Sequence, residues 1–263
     1  MIRRRTLLLT ALAMLAASAA AAQTPQAVTE INFGILSTES TSNLKPRYLP
    51  LVADMEKAVG MKVNAYFAPD YAGIIEAMRF NKVQVAWFGN ASAIIAVERA
   101  SGEVFAQNLA PDGGDGYFST IVVHKDSPIK DFNDLLKSPG KYSFSNGDPN
   151  STSGNLVPSY YAWALNNVDL KKHFTRVIAA NHETNALAVA NRQVDLATVS
   201  SEAIDRLEGT YPEKHKLLRV VWRSPTIPLD PIVWRTDLPA ATKEKIRSFF
   251  VGYGSPQPGK SDA

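Results

Sequence analysis

The sequence predicts an α/β protein of two similar lobes, each a mostly parallel sheet flanked by helices, joined by two crossovers. Three observations carry this. Short runs rich in β-branched and aromatic residues alternate with helix-periodic runs along most of the chain. That rhythm breaks at Gly-rich "APDGGDG" (110–116), restarts, and breaks again at Pro-rich "RSPTIPLDPIVW" (223–234). Finally, "FNKVQVAWFGNASAI" (80–94) is echoed by "ANRQVDLATVSSEAI" (190–204). Each copy reads as a helix end, an Asn, a basic residue, a buried strand and a small-residue loop that opens a helix.

The elements follow in order. "TEINFGIL" (29–36) is a strand, and "RYLPLVADMEKAVG" (47–60) a helix that starts after Pro46 and stops at Gly60. "KVNAYFA" (62–68) is a strand, "YAGIIEAMRF" (71–80) a helix, "VQVAWFG" (83–89) a strand and "SAIIAVERASG" (92–102) a helix. After the first crossover, "YFSTIVVHKDSPI" (117–129) is a strand running into a turn. Helix "FNDLLK" and strand "YSFSN" come next. "NGDPNSTSGNLVPSYYAWAL" (146–165) then leads into a helix, followed by strand "RVIAA", helix "NALAVANR", strand "VDLATVS" and helix "EAIDRLEG". After the second crossover comes helix "AATKEKIRSFFVGYG" and a polar end, "SPQPGKSDA". The crossovers make residues 23–116 with 231–263 a discontinuous first lobe and 117–230 the second.

Residues 1–22 have the form of a cleavable secretory signal. Arg3, Arg4 and Arg5 form the basic start, Thr6 to Ala17 the apolar stretch, and Ala20-Ala21-Ala22 the cleavage site before Gln23. The apolar stretch is too short for a typical spanning helix. Export through the Sec or the twin-arginine route is left open. The chain carries 28 basic and 25 acidic residues; without the three signal arginines, basic and acidic residues balance. No basic surface calls for nucleic acid or anionic lipid. No later run is long and apolar enough to span a bilayer, so the mature protein is expected to be soluble and exported. With no cysteine, disulfides, thiolate nucleophiles and Cys-based zinc sites are excluded.

Two similar α/β lobes joined at two places, in an exported protein, have the build of a hinged solute-binding protein. Its ligand would sit where the carboxyl ends of both sets of strands face each other. Ser151, Thr152 and Ser153 precede Gly154 at a helix start. They read either as an N-cap or as part of an anion site, since a helix N-terminus offers unpaired N–H groups and a positive dipole end. His182 opens another helix and could donate to an anion, adding charge if protonated. Tyr71, Tyr117, Glu202 and Asp230 fall at element ends that can share one cleft and suit a cationic group. Taken singly, each is also an ordinary packing aromatic or helix-start acid. No metal spacing is present: His182 has no second His at i+4, and the other histidines are scattered. G-x-S-x-G, P-loop, G-x-G-x-x-G and H-E-x-x-H motifs are absent, so no enzyme is expected. A Ser–His–acid triad, recognisable only by geometry, keeps a hydrolase as an alternative of another class.

"INFGILSTES", "NLKPRYLP", "DMEKAVGMKVNAYFAPDYAGIIEAMRFNKVQVAWFGN", "NGDPNSTSG", "HETNALAVANRQVD" and "SPTIPLDPIVWR" resemble the periplasmic phosphonate-binding proteins of bacterial ABC importers. The likeness runs from about Ile31 to Tyr253. It implies a two-lobed, type II-like periplasmic substrate-binding fold, a periplasmic location and delivery to inner-membrane permease subunits. The implied ligand is 2-aminoethylphosphonate, with no cofactor, metal or catalysis. Ser151, Thr152, Ser153 and His182 would hold the phosphonate, and Glu202, Asp230, Tyr71 and Tyr117 the ammonium. Phosphate, phosphite or a simple alkylphosphonate is the alternative on the same fold. Two departures stand out. Phe88 replaces a common Tyr, which would remove a hydroxyl near the cleft. The chain also ends at Ala263, before several further helices of the family. That implies an incomplete first lobe and puts a homodimer in question.

Overall fold

The computed structural model describes residues 28–110, 113, 114 and 116–254. The expected signal segment and the tail from residue 255 lie outside the described residues. The first part of the chain runs β1 (Glu30–Ile35), α1 (Thr41–Val59), β2 (Lys62–Phe67), α2 (Tyr71–Arg79), β3 (Val85–Trp87), α3 (Asn90–Arg99) and β4 (Gly102–Gln107). The short β5 (Gly116–Tyr117) leads to β6 (Ser119–His124), α4 (Phe132–Leu136) and β7 (Ser143–Gly147). An irregular helical segment follows, then α5 (Leu170–His173), β8 (Arg176–Ala180), α6 (His182–Ala190), β9 (Leu196–Ser200), α7 (Ser201–Thr210), α8 (Pro212–His215) and β10 (Leu218–Arg223). The chain closes with β11 (Ile227–Pro228), β12 (Pro231–Arg235) and α9 (Ala240–Gly252).

Two five-stranded sheets result, ordered β2-β1-β3-β12-β4 and β10-β6-β9-β7-β8. Between them β5 and β11 pair with each other, so the outgoing and returning chain are tied together at Tyr117 and Ile227. The expected α/β class with two helix-flanked sheets holds. The sheets are mixed, however, rather than mostly parallel. In the first, β1 pairs β2 and β3 in parallel, but β12 is antiparallel to both β3 and β4. In the second, β7 pairs β8 and β9 in parallel, while β6 is antiparallel to β9 and β10. The reason is the crossovers. Strands β6 and β12 enter their sheets directly from the connecting pair, with no helical crossover to restore a common direction.

The sequence echo corresponds to equivalent positions. β3–α3 and β9–α7 supply the central strand of each sheet and the helix after it. Both are preceded by the same helix exit. Asn81 and Arg192 adopt positive φ, and the next residue, Lys82 or Gln193, donates to the carbonyl of Ala77 or Ala188.

Several boundaries differ from expectation. Helix α1 begins at Thr41 and contains Pro46 and Pro50. Both prolines are exposed, so the carbonyls they leave unpaired face water, while Leu44, Val52, Met55 and Val59 form a buried stripe that holds the helix. Strands β4 and β10 were not anticipated. Each is an edge strand with a partly exposed pattern, which weakens its apolar signature. The expected helix after Gly154 is not a regular α-helix. Leu156 N and Val157 N donate five residues back, to Ser151 O and Thr152 O, giving wide π-type turns over Thr152–Leu156 and again over Ser159–Trp163. Pro158, lacking an N–H, separates the two turns, and Asn167 at φ 56 ends the segment.

The first sheet has one apolar core, including Phe33, Met55, Met78 and Trp234. The second has a core on each face, around Phe144 and Trp163 on one side and Val189 and Val199 on the other. Among the described residues no helix is long and apolar enough to cross a membrane.

Candidate ligand-binding cleft

Six helical segments follow the carboxyl ends of β1, β2, β3, β7, β8 and β9; the starts of the last five, and the loop before α1, contribute to the wall of one cavity between the sheets. That placement aims several positive dipole ends at one volume. The cavity gathers all eight expected residues: Tyr71, Tyr117, Ser151, Thr152, Ser153, His182, Glu202 and Asp230.

The three consecutive hydroxyls do three different things. Ser151 Oγ accepts from Gly154 N at 2.9 Å and is the N-cap. Thr152 Oγ1 accepts from Ala91 N at 2.9 Å, so it ties the second sheet's unit to the start of α3 in the first. Ser153 Oγ, like Ser151 Oγ, lies 3.5 Å from His182 Nε2. The backbone here is fixed by close approach. A Cβ on Gly147 would come within 2.3 Å of Gly154 Cα, and Gly154 O accepts from Thr198 Oγ1 at 2.7 Å. Asn185 locks the surroundings by accepting from Ser145 Oγ at 2.6 Å and donating to Asn146 O and Thr198 O at 2.9 and 3.0 Å.

The hydrogen bonding of His182 sets its tautomer. Ser200 N donates to Nδ1 at 3.2 Å, so the ring proton sits on Nε2, which faces the serine hydroxyls. Burial, with the positive charge of Arg206 second, depresses the imidazolium to a pKa of about 4, against the opposing pull of Glu39. His182 is therefore a neutral donor at physiological pH. The groups facing Nε2 at this end are neutral donors, with Arg206, paired to Glu39, as the positive charge nearby.

The opposite end is acidic. Asp230 is buried and accepts from Trp87 Nε1 on Oδ2 and from the Tyr117 hydroxyl on Oδ1, both at 3.0 Å. Burial first, and the charge of Glu202 second, raise its pKa to about 7, against the two hydrogen bonds. Glu202, in the first turn of α7, is also raised, by burial and by Asp205, with Arg206 acting the other way. Burial likewise raises the Tyr117 phenol. Tyr71 lies between the two ends: burial raises its phenol, with Ser151 acting the other way and the charge of Asp230 adding to the rise.

Trp87 and Arg206 on the wall, and Glu39 beyond it, escaped sequence reasoning. Trp87 orients Asp230 from 143 positions away. Arg206, one helical turn after Glu202, donates through Nε to Glu39 Oε1 at 2.5 Å. Glu39 also accepts from Arg47 at 2.8 Å. Burial works to raise the Glu39 carboxyl, but the two arginines outweigh it and hold it below its ordinary value. The i, i+4 spacing of Glu202 and Arg206 was the one available signal. Phe88 does not bear on the cavity. It is fully buried in the first sheet's core, and its ring is not part of the cavity wall. Among the described residues no group of three His, Cys, Asp or Glu is placed to hold a metal ion.

The profile of the family described as ABC transporter, phosphonate, periplasmic substrate-binding protein matches residues 33–262. The chain belongs to this family. It is 59% identical over 224 residues to the phosphonates-binding periplasmic protein of Escherichia coli K12, an alignment covering 85% of this chain and 66% of that protein. The chain thus spans just under two thirds of that relative. The crystal structure of a binding-protein component of a phosphonate ABC transporter from Pseudomonas aeruginosa superposes with a TM-score of 0.85 at 54% identity, covering 86% of this chain and 75% of the other. A methylphosphonate complex from Prochlorococcus marinus reaches 0.76 at 20% identity, covering 85% and 84%, and carries the fold alone.

Proposed function

We propose that the protein captures phosphonates in the periplasm, 2-aminoethylphosphonate above all, and hands them to the permease of an ABC transporter without chemical change. One observation supports this reading most: a single cavity with a neutral donor cradle around His182 at one end and two carboxylates, Glu202 and Asp230, at the other. An ammonium buried without a partner is costly, and two acids offset that cost. A phosphonate oxygen gains charge-assisted hydrogen bonds from Nε2–H, the serine hydroxyls and helix-start N–H groups. Ser151, Thr152, Ser153 and His182 are assigned to the phosphonate, and Tyr117, Glu202 and Asp230 to the ammonium. Tyr71 joins the ammonium group from its place between the ends. Residues up to 116 with those from 231 would move as one lobe and 117–230 as the other, hinged at the β5–β11 pair.

Calorimetry of the mature, folded protein tests the reading. 2-Aminoethylphosphonate should bind at least tenfold more tightly than methylphosphonate or inorganic phosphate. Silence toward all three at millimolar concentration would sink it. Equal affinity for the aminated and simple phosphonates would remove the ammonium assignment. Release of phosphate or ammonia during incubation would turn the reading toward a hydrolase.

A further inference from the structure

Resting on the phosphonate assignment above, we infer that Thr38 is a further ligand-binding residue, whose hydroxyl donates to a phosphonate oxygen from the first sheet's side of the cavity. Thr38 stands in the loop between β1 and α1, on the first sheet's side, and forms part of the cavity wall. It is only 5% exposed, and its Oγ1 has no hydrogen-bond partner among the described residues. Buried hydroxyls are normally satisfied, and an unpaired one in the wall of a polar cavity points to a group that enters the cavity. Of the other buried side-chain atoms without partners, on Ser37, Ser119 and Trp163, none lies on this wall.

The surrounding contacts place Thr38 at the phosphonate end. Its carbonyl accepts from Glu183 N at 3.3 Å, next to His182. The Glu183 carboxylate is gripped by Ser40 N of the same loop at 3.4 Å and by Asn43 Nδ2 in the first turn of α1 at 2.6 Å. Glu39, the next residue, meets Arg206 across the cleft. Every one of these bonds runs from the first sheet's unit to the second's, so the loop is seated on the start of α6 when the units are together. An anion held by Ser153 and His182 would meet Thr38 Oγ1 as the units close.

Thr38→Val keeps the shape and removes the hydroxyl; Thr38→Ser keeps the hydroxyl. Calorimetry with 2-aminoethylphosphonate and methylphosphonate should give about a tenfold loss for Thr38→Val, equal for both ligands, and at most a threefold loss for Thr38→Ser. The melting temperature without ligand should not fall in Thr38→Val, because no protein partner is lost. Wild-type affinity in Thr38→Val overturns the inference. So does a loss confined to the aminated ligand, or a fall in melting temperature that alone accounts for the weaker binding. If the wild type binds neither phosphonate, the parent reading fails first, and that result is distinct from all of these.

Discussion

At one end of the cleft His182 presents a neutral N–H to two serine hydroxyls; at the other, Asp230 and Glu202 press two acids into one buried region. Apart from the Thr38 hydroxyl, the donor end is held by bonds within the protein. Its histidine is fixed by Ser200, its serine by Gly154 and its threonine by Ala91. The acid end is not at rest. Asp230 keeps two good hydrogen bonds, yet burial and Glu202 hold its pKa near 7. Neutral donors can thus be held ready for an anion at little cost, whereas a buried carboxylate that would face a cation is kept where burial opposes its ionisation. The price falls on the ligand-free protein and returns as specificity.

The largest break in this contrast is Asp230→Asn. The amide can accept from Trp87 and donate to the Tyr117 oxygen, so the packing survives while the charge goes. Binding of 2-aminoethylphosphonate should fall by roughly a hundredfold or more, since a buried charge pair is lost. Methylphosphonate binding should stay within a few fold. Stability of the ligand-free variant at pH 7 should rise by on the order of a few kcal/mol. In the wild type the native state holds the Asp230 proton up to about pH 7, whereas an unfolded Asp releases it near 3.8. Over that interval the native state binds more protons, so this group makes stability fall as pH rises. Denaturant titrations of both proteins at pH 5 and 7 check the sign. Equal pH slopes would remove the strained-acid account.

His182→Ala attacks the other end. The loss should be about 10- to 100-fold and the same for aminated and simple phosphonates, because Nε2–H serves the group they share. A loss specific to the aminated ligand would show the two ends wrongly assigned. The pH dependence of binding sharpens the comparison further. An ammonium favours ionised Asp230, so the affinity ratio of 2-aminoethylphosphonate to methylphosphonate should climb severalfold between pH 6 and 7.5 and then level off. Taking the ratio cancels the phosphonate's own titration. A flat ratio measured by calorimetry would mean that Asp230 is ionised throughout.

Much of this was readable in the chain. Alternating apolar runs gave the α/β class, and the echo of 80–94 in 190–204 marked the two central βα units. Residues at helix starts were legible as cleft candidates because strand ends and helix starts share one edge. Reading failed where the signal is relational. Trp87 matters through Asp230, Arg206 through Glu39, 167 positions away, and Thr38 through a hydroxyl with no partner among the described residues. None of these is a local pattern. Likewise, edge strands β4 and β10 bury too little to alternate clearly, and strand direction after a crossover is set by the connection, not by composition.

The smallest expected effect separates two neighbours within the donor end. Ser151 caps the segment through its bond to Gly154 N, while Ser153 meets only His182 among the side-chain contacts of its hydroxyl. Ser151→Ala should cost about 1 kcal/mol of stability, the usual worth of a cap, seen as a lower denaturation midpoint without ligand. Ser153→Ala should leave that midpoint in place and weaken phosphonate binding instead. The π-type turns make the distinction sharper, because Leu156 N also bonds Ser151 O and the backbone at this position already carries the wider winding. If Ser153→Ala destabilised the protein and Ser151→Ala only weakened binding, the division between a capping and a ligand-facing serine would be reversed, and the start of this segment would have to be rebuilt around Ser153.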